Sequence, residues 1–289
     1  MDATPKIERA LERALSFATV GERPPLLCRA VEHAIFAGGA RVRPRLCLAV
    51  AEACGNPYEE ASMAAAVSLE LLHSASLVHD DLPCFDDSDL RRGKPSIHAA
   101  FGQPLAVLAG DALIVMAFEN LARECAVTPD RLAPLIATVA RAVGMPNGIV
   151  AGQAWESEPH ISVEEYHRTK TASLFVGATA AGAIAADSDP QPWMAVGHQL
   201  GAAYQVADDL RDIAASAKEM GKPARQDADN NQPNMVDELG IDGCLARLRD
   251  CVANAVEAVP DVPGSDGLRL LIEGEMKRLM PRKLSRSAA

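Results

Sequence analysis

Aromatic side chains are scarce: 2 Trp, 3 Tyr and 6 Phe make up 4% of the 289 residues. Alanine and leucine recur instead, and no stretch alternates polar with β-branched residues. A β-sandwich, which draws on Val, Thr and Tyr, is therefore not expected. Basic residues are in deficit, 28 Lys+Arg against 39 Asp+Glu, for a formal net charge of −11. That balance argues against a nucleic-acid partner, whose phosphates need a Lys/Arg surface. An anionic substrate would have to be held with the help of metal ions.

The seven cysteines (28, 47, 54, 84, 125, 244, 251) include no CxxC pair. They read as scattered free thiols of a reducing compartment, not as a disulfide framework. The uncharged apolar run Ala172 to Ala186 falls short of the ~20 residues a bilayer span needs, and reads as a buried helix. The first residues, MDATPKIERALERAL, carry an early Asp and Glu and no apolar core segment. No signal peptide and no membrane span are expected, and the expected location is the cytoplasm. What remains, 48% hydrophobic and 23% charged, is the balance of a globular chain long enough for a large core.

Helical spacing dominates. Ile7, Ala10, Leu11, Ala14 and Leu15 share one face of a first helix. Pro24-Pro25 break the chain before a second, Leu26 to Phe36, which Gly38-Gly39 end. Pro44 opens a third, stopped by Gly55-Asn56-Pro57, and Glu59 to Asp81 is one long helical pattern. Further helices are expected at 105–122, 131–143, 163–185, 193–215, 236–259 and 268–280. With no repeat and no linker, residues 1–289 read as a single all-α domain, a bundle of long helices.

Two acidic segments carry the chemistry. The first is His79-Asp80-Asp81-Leu82-Pro83-Cys84-Phe85-Asp86-Asp87, followed by Arg91, Arg92 and Lys94. The second is Gln205-Val206-Ala207-Asp208-Asp209-Leu210-Arg211-Asp212. Asp208 and Asp212 are i and i+4 and share a helix face, where like charges destabilise by a few tenths of a kcal/mol. Pro83 pushes Leu82 out of helical geometry, so a loop could return Asp86 to Asp80. Converging carboxylates are hard oxygen ligands suited to Mg2+, with water and phosphate oxygens completing its shell. Zinc would want His and Cys at short spacing. Arg91 and Arg92, with the corner Gly38-Gly39-Ala40-Arg41-Val42-Arg43-Pro44, supply guanidinium forks that match phosphate oxygens. Together these features suggest a site that grips diphosphates both directly and through metal. His79-Asp80 alone would also suit a metal phosphohydrolase, but the other histidines offer no further ligand set.

At these residues the chain resembles the trans-isoprenyl diphosphate synthases, or polyprenyl synthetases. Asp80 to Asp86 with Arg91 to Pro95 looks like the family's first aspartate-rich motif, and Asp208 to Asp212 like the second. Gly38-Gly39, Arg43-Pro44, His73, Lys170-Thr171, Gln205 and Gly221-Lys222-Pro223 fall in the family's order, over roughly residues 25–240. In appearance it is most similar to the geranylgeranyl diphosphate synthases of bacterial carotenoid pathways. The resemblance implies an isoprenoid-synthase fold around a central cavity and, as in many relatives, a homodimer. It implies three Mg2+ ions held by Asp80, Asp86 and Asp208. Arg43, His73 and Arg92 would hold isopentenyl diphosphate; Arg91, Lys170 and Lys222 would face the allylic diphosphate (dimethylallyl, geranyl or farnesyl). Thr171 and Gln205 would stand beside the developing carbocation. Ala75 and Ser76, beneath Asp80 on its helix, would leave room for a C20 product.

The family's usual lysine is absent at Ala40, and Gln226 and Gln232 stand where the region after the second motif carries others. A farnesyl diphosphate synthase, or a partner subunit that keeps the fold without catalysis, stays open at this point.

Overall fold

The computed structural model describes residues 3–160, 163–216 and 235–279. Lys222, Gln226, Gln232 and the side chain of Asp212 lie outside the described set. The described residues are almost wholly helical, as the composition predicts. They group into two compact units: Met1–Ala140 with Ala181–Ser188, and Arg141–Ala180 with Asp189–Ala289.

In the first unit, α1 (Thr4–Ala18) and α2 (Pro25–Ile35) each carry proline in the first turn, where its missing N–H is no loss. The chain leaves α2 through Phe36, so Gly38 and Gly39 do not cap that helix. They form the corner leading to α3 (Val42–Ala53), at φ 97° and 136°. Gly55 and Asn56 stop α3 as expected: their N–H groups donate back to Glu52 and Ala51 carbonyls at 3.0 and 2.9 Å, the Schellman pattern.

Helix α4 (Glu59–Asp80) is apolar on nearly every face, and a helix of that kind belongs in a core. Leu69, Leu71 and Leu72 are fully buried, each worth about 1.5–3 kcal/mol of transfer free energy. α4 packs chiefly on α6 (Gln103–Glu124). A polar knot joins the two: Ser68 Oγ donates to the Ala117 carbonyl at 2.8 Å, and Asn120 Nδ2 donates to the Ala64 carbonyl at 3.0 Å and to Ser68 Oγ at 3.1 Å.

Both α4 and α6 are long and apolar enough to cross a membrane by length and composition. The most apolar window of α4 is 78% buried, which marks a core helix, whereas that of α6 is 44% buried. Val107, Leu108 and Val115 of α6 stay exposed. Between these helices lie a two-residue antiparallel ladder, β1 (Leu90–Arg91) with β2 (Lys94–Pro95), and the short α5 (Ile97–Phe101). Neither was expected, because two-residue strands are too short for alternation to register. α7 (Pro129–Val143) follows α6.

The second unit contains α8 (Ile149–Ala154), α9 (Val163–His167), a π-helical turn (Arg168–Ala172), α11 (Gln191–Ser216), α12 (Met235–Glu257, broken by a non-helical Gly240) and α13 (Ser265–Leu279). Helix α10 (Ser173–Ala185) is the uncharged run predicted to be buried, and its alanines at 178, 181, 183 and 185 are fully so. α11 packs on α12 and on the π turn. All seven cysteines are free thiols.

Candidate active site

The first acidic segment is a helix end folded back on itself. α4 stops at Asp80, before Pro83. The Asp86 N–H then donates to the Asp80 carbonyl at 2.9 Å, and the Ser88 N–H to the Asp81 carbonyl at 3.1 Å. The loop thus brings the Asp86 backbone to Asp80, and both side chains are half-buried. Asp81 behaves differently. Its carboxylate is buried and accepts Arg91 Nε at 2.9 Å, with Arg91 Nη2 on the same oxygen. Burial works against the Arg91 charge. The Asp81 hydrogen bond and the charges of Asp81, Asp80 and Asp86 outweigh it and raise the guanidinium pKa further. Arg91 therefore stands, permanently charged, beside the two carboxylates.

The ladder turns at Arg92-Gly93, both at positive φ (54° and 76°), as a two-residue hairpin turn requires. This turn lays Arg92 on the glycine corner: Nη1 donates to the Gly38 carbonyl, and Lys94 Nζ to the Phe36 carbonyl at 3.2 Å. A Cβ on Gly39 would push the Arg92 guanidinium aside, and the φ of 136° itself calls for glycine.

The corner is pinned from below by Arg41, a buried left-handed residue (φ 48°). Its guanidinium donates to Glu8 Oε1 at 2.7 Å, Glu70 Oε1 at 2.6 Å and the Ile35 carbonyl at 2.8 Å, joining α1, α2 and α4. Two residues on, Arg43 Nη1 lies 3.2 Å from His73 Nε2. Loss of hydration, then the charges of Arg43, Arg92, Arg91 and Arg41, hold His73 well below its ordinary pKa, so the ring is neutral. A guanidinium can only donate, so Nε2 is the acceptor and Nδ1 carries the proton. Nδ1 is buried and has no hydrogen-bond partner among the described residues. Ala75 is buried, and Ser76 Oγ donates to the His73 carbonyl at 2.8 Å.

In the second unit, Lys170 and Thr171 sit on the π turn, a rare geometry often found at functional sites. A Cβ on Gly152 would overlap the Lys170 backbone, so α8 passes directly against it. Lys170 Nζ pairs with Glu156 Oε1 at 2.5 Å. The same carboxylate accepts Tyr166 OH at 2.6 Å and Gln153 Nε2 at 2.5 Å. Burial, chiefly, raises the Tyr166 pKa well above its usual value, so the hydroxyl stays a donor. Thr171 Oγ1 donates to Gln205 Oε1 at 2.5 Å, and Gln205 Nε2 donates to Asp209 Oδ1 at 2.8 Å. Asp209 is buried, while its neighbour Asp208 is exposed and accepts Arg211 Nη1 at 2.8 Å.

Among the predicted residues, the first unit brings together Arg43 with His73, Asp80 with Asp86, and Arg91 and Arg92 with the acidic loop and glycine corner. The second brings Thr171 to Gln205. Among the described residues, no three His, Cys, Asp or Glu side chains converge into a cage for a metal ion. The donor set nevertheless fits Mg2+, which keeps several waters and binds through one or two carboxylates plus substrate phosphates. Sequence reasoning missed the roles of Asp81, Asp209 and Glu156, and it offered Arg41 to phosphate, whereas the structure buries that guanidinium on Glu8 and Glu70. A signal existed for the first two: neighbours on a helix point about 100° apart, so an Asp-Asp pair turns one carboxylate in and one out.

The polyprenyl synthetase family model matches residues 24–258. The chain is 48% identical over 280 residues to the geranylgeranyl diphosphate synthases of Rhodobacter capsulatus and of Cereibacter sphaeroides, covering 97% of this chain and of each relative. It is also similar to the crystal structure of a geranyltransferase from Helicobacter pylori complexed with magnesium and isoprenyl diphosphate. That likeness has a TM-score of 0.77 and 28% identity, covering 95% of this chain and 97% of the other.

Proposed function

The chain belongs to the polyprenyl synthetase family, and from that premise we propose that it is a Mg2+-dependent prenyltransferase making geranylgeranyl diphosphate from isopentenyl diphosphate and allylic diphosphates. The observation that carries this reading is the gathering of Arg43, His73, Arg91 and Arg92 around an acidic helix end. Cations beside half-buried carboxylates suit a ligand that is both anionic and metal-bound.

In this reading Asp80, Asp86 and Asp208 hold three Mg2+ ions. The chemistry they supply when bound is neutralisation of the allylic diphosphate as it departs. Arg91, Lys170 and Lys222 take that diphosphate. Arg43, Arg92 and the Nδ1–H of neutral His73 take isopentenyl diphosphate. Thr171 and Gln205 turn oxygen dipoles toward the allylic cation, which the isopentenyl double bond attacks before a proton is lost. Fixed dipoles in a dry site stabilise such charge without reorganising. The small Ala75 and Ser76 support a C20 product, agreeing with the names of the two bacterial relatives. The exposed apolar Val107, Leu108 and Val115 of α6 support a homodimer. We take residues 1–289 as one catalytic domain acting in the cytoplasm.

The test is product chromatography with purified protein, Mg2+, isopentenyl diphosphate and each allylic primer. C20 diphosphate is the expected end product. Termination at C15 would make it a farnesyl diphosphate synthase, and no product at all would make it a partner subunit.

A further inference from the structure

Asp208 and Asp209 are adjacent, yet they face different surroundings. Asp209 is 4% exposed and both its oxygens are taken: Oδ1 accepts Gln205 Nε2 at 2.8 Å, and Oδ2 accepts the Met235 N–H at 3.0 Å. Met235 is the first residue of α12, so that N–H is one of the donors a helix leaves without an internal partner. Burial, then the nearby charge of Asp209, raises the pKa of Cys244, which follows the break at Gly240.

We infer that Asp209 is a positioning residue and not a metal ligand: it sets which way the Gln205 amide points and ties that amide to the start of α12. A carboxylate only accepts, so Gln205 must present its NH2 to Asp209 and its oxygen to Thr171. The reversed amide would set oxygen against carboxylate. The first acidic run divides its labour in the same way, with Asp81 turned inward onto Arg91 while Asp80 is left half-buried. In both runs one carboxylate of the pair orients a side chain assigned to the substrate. The inference rests on the proposed place of Gln205 beside the carbocation, where amide direction decides whether the dipole stabilises or opposes positive charge.

Kinetics and metal-free unfolding of the full chain test it. Asp209→Asn offers an NH2 to one of two donors. It should lower kcat about ten-fold or more, while the Mg2+ concentration for half-activation stays within about two-fold of wild type. Asp208→Asn should instead raise that concentration. In EDTA, Asp209→Asn should melt earlier and Asp208→Asn should not. Joined to Gln205→Ala, Asp209→Asn should add little further loss in kcat, because the two act as a unit. Gln205→Glu probes the same contact from the other side. Two facing carboxylates should lower the metal-free melting temperature, and this holds as a test even if Asp209→Asn does not fold. A Mg2+ shift in Asp209→Asn like that of Asp208→Asn, multiplicative losses in the double variant, or a Gln205→Glu protein of wild-type stability would each overturn the inference. Wild-type kcat in Gln205→Ala would instead overturn the proposed role of Gln205.

Discussion

Lys170 Nζ stands 2.5 Å from Glu156 Oε1, with the two side chains only 17% and 20% exposed. Because Glu156 also accepts from Tyr166 and Gln153, its removal takes one shared carboxylate from an ammonium and two polar groups in a mostly buried site. We predict that Glu156→Ala lowers stability by about 2 kcal/mol, the usual scale for stranded partners partly screened by solvent. It should also raise the Michaelis constant for the allylic diphosphate by about five-fold and leave that for isopentenyl diphosphate unchanged. Thermal unfolding and paired substrate titrations check this. A variant as stable as wild type, or one that weakens both substrates equally, contradicts it.

The two classes of aspartate should separate by experiment. Asp80→Ala and Asp208→Ala should each lower turnover by orders of magnitude with the helical circular dichroism intact, since neither side chain is fully buried and their proposed work is on metal. Asp81→Ala should reduce activity and also destabilise by about 1–2 kcal/mol, because Arg91, still beside Asp80 and Asp86, loses the carboxylate that holds it directly. Chelation of Mg2+ should abolish turnover without unfolding the protein. Near-normal rates in Asp80→Ala or Asp208→Ala would remove those residues from the metal site.

The long helices were legible because their patterns are local. α4 was expected over 59–81 and runs Glu59–Asp80, since an unbroken apolar stretch followed by Pro83 leaves little choice. The π turn was not legible. Residues 163–185 read as one helix, and the extra residue per turn that changes the facing of Lys170 and Thr171 has no compositional mark. The anchors Glu8 and Glu70 for Arg41, and Glu156 for Lys170, lie 33, 29 and 14 residues away in sequence. No helical or strand period links such positions, so only the tertiary fold could pair them. The hairpin at Arg92-Gly93 escaped for another reason. Arginine at positive φ is rare, and its presence there follows from the glycine corner on which it docks.

His73 gives a pH signature. Its folded pKa lies well below the ordinary 6.5, so between the two values the unfolded chain binds the extra proton. The sign follows: stability rises with pH across that window and is lost as pH falls below about 6.5, with a slope of up to about 1.4 kcal/mol per pH unit. His73→Gln, which cannot titrate, should flatten the decline in melting temperature between pH 7 and pH 5 relative to wild type. Parallel declines in the two proteins would mean that His73 is protonated as readily in the folded state as in the unfolded one.

Product length should be set on the same helix. Ala75 is 2% exposed, and it lies five residues before Asp80, a little over one turn. Ser76 is one residue nearer and is held to the His73 carbonyl. Leu71 and Leu72, the next apolar bulk further down, are fully buried. A prenyl tail descending from a diphosphate at Asp80 would meet Ala75 before either leucine. We predict that Ala75→Tyr shifts the main product from C20 to C15. If the phenol enters the space the tail would use, the fold should tolerate it. If Ala75 packs instead against a neighbouring helix, overpacking should cost about 1–3 kcal/mol. Product chromatography with a C10 primer, run beside thermal unfolding, separates these outcomes. A shortened product from a protein of near wild-type stability places the tail over Ala75, whereas C20 from a destabilised protein puts the floor of the cavity elsewhere.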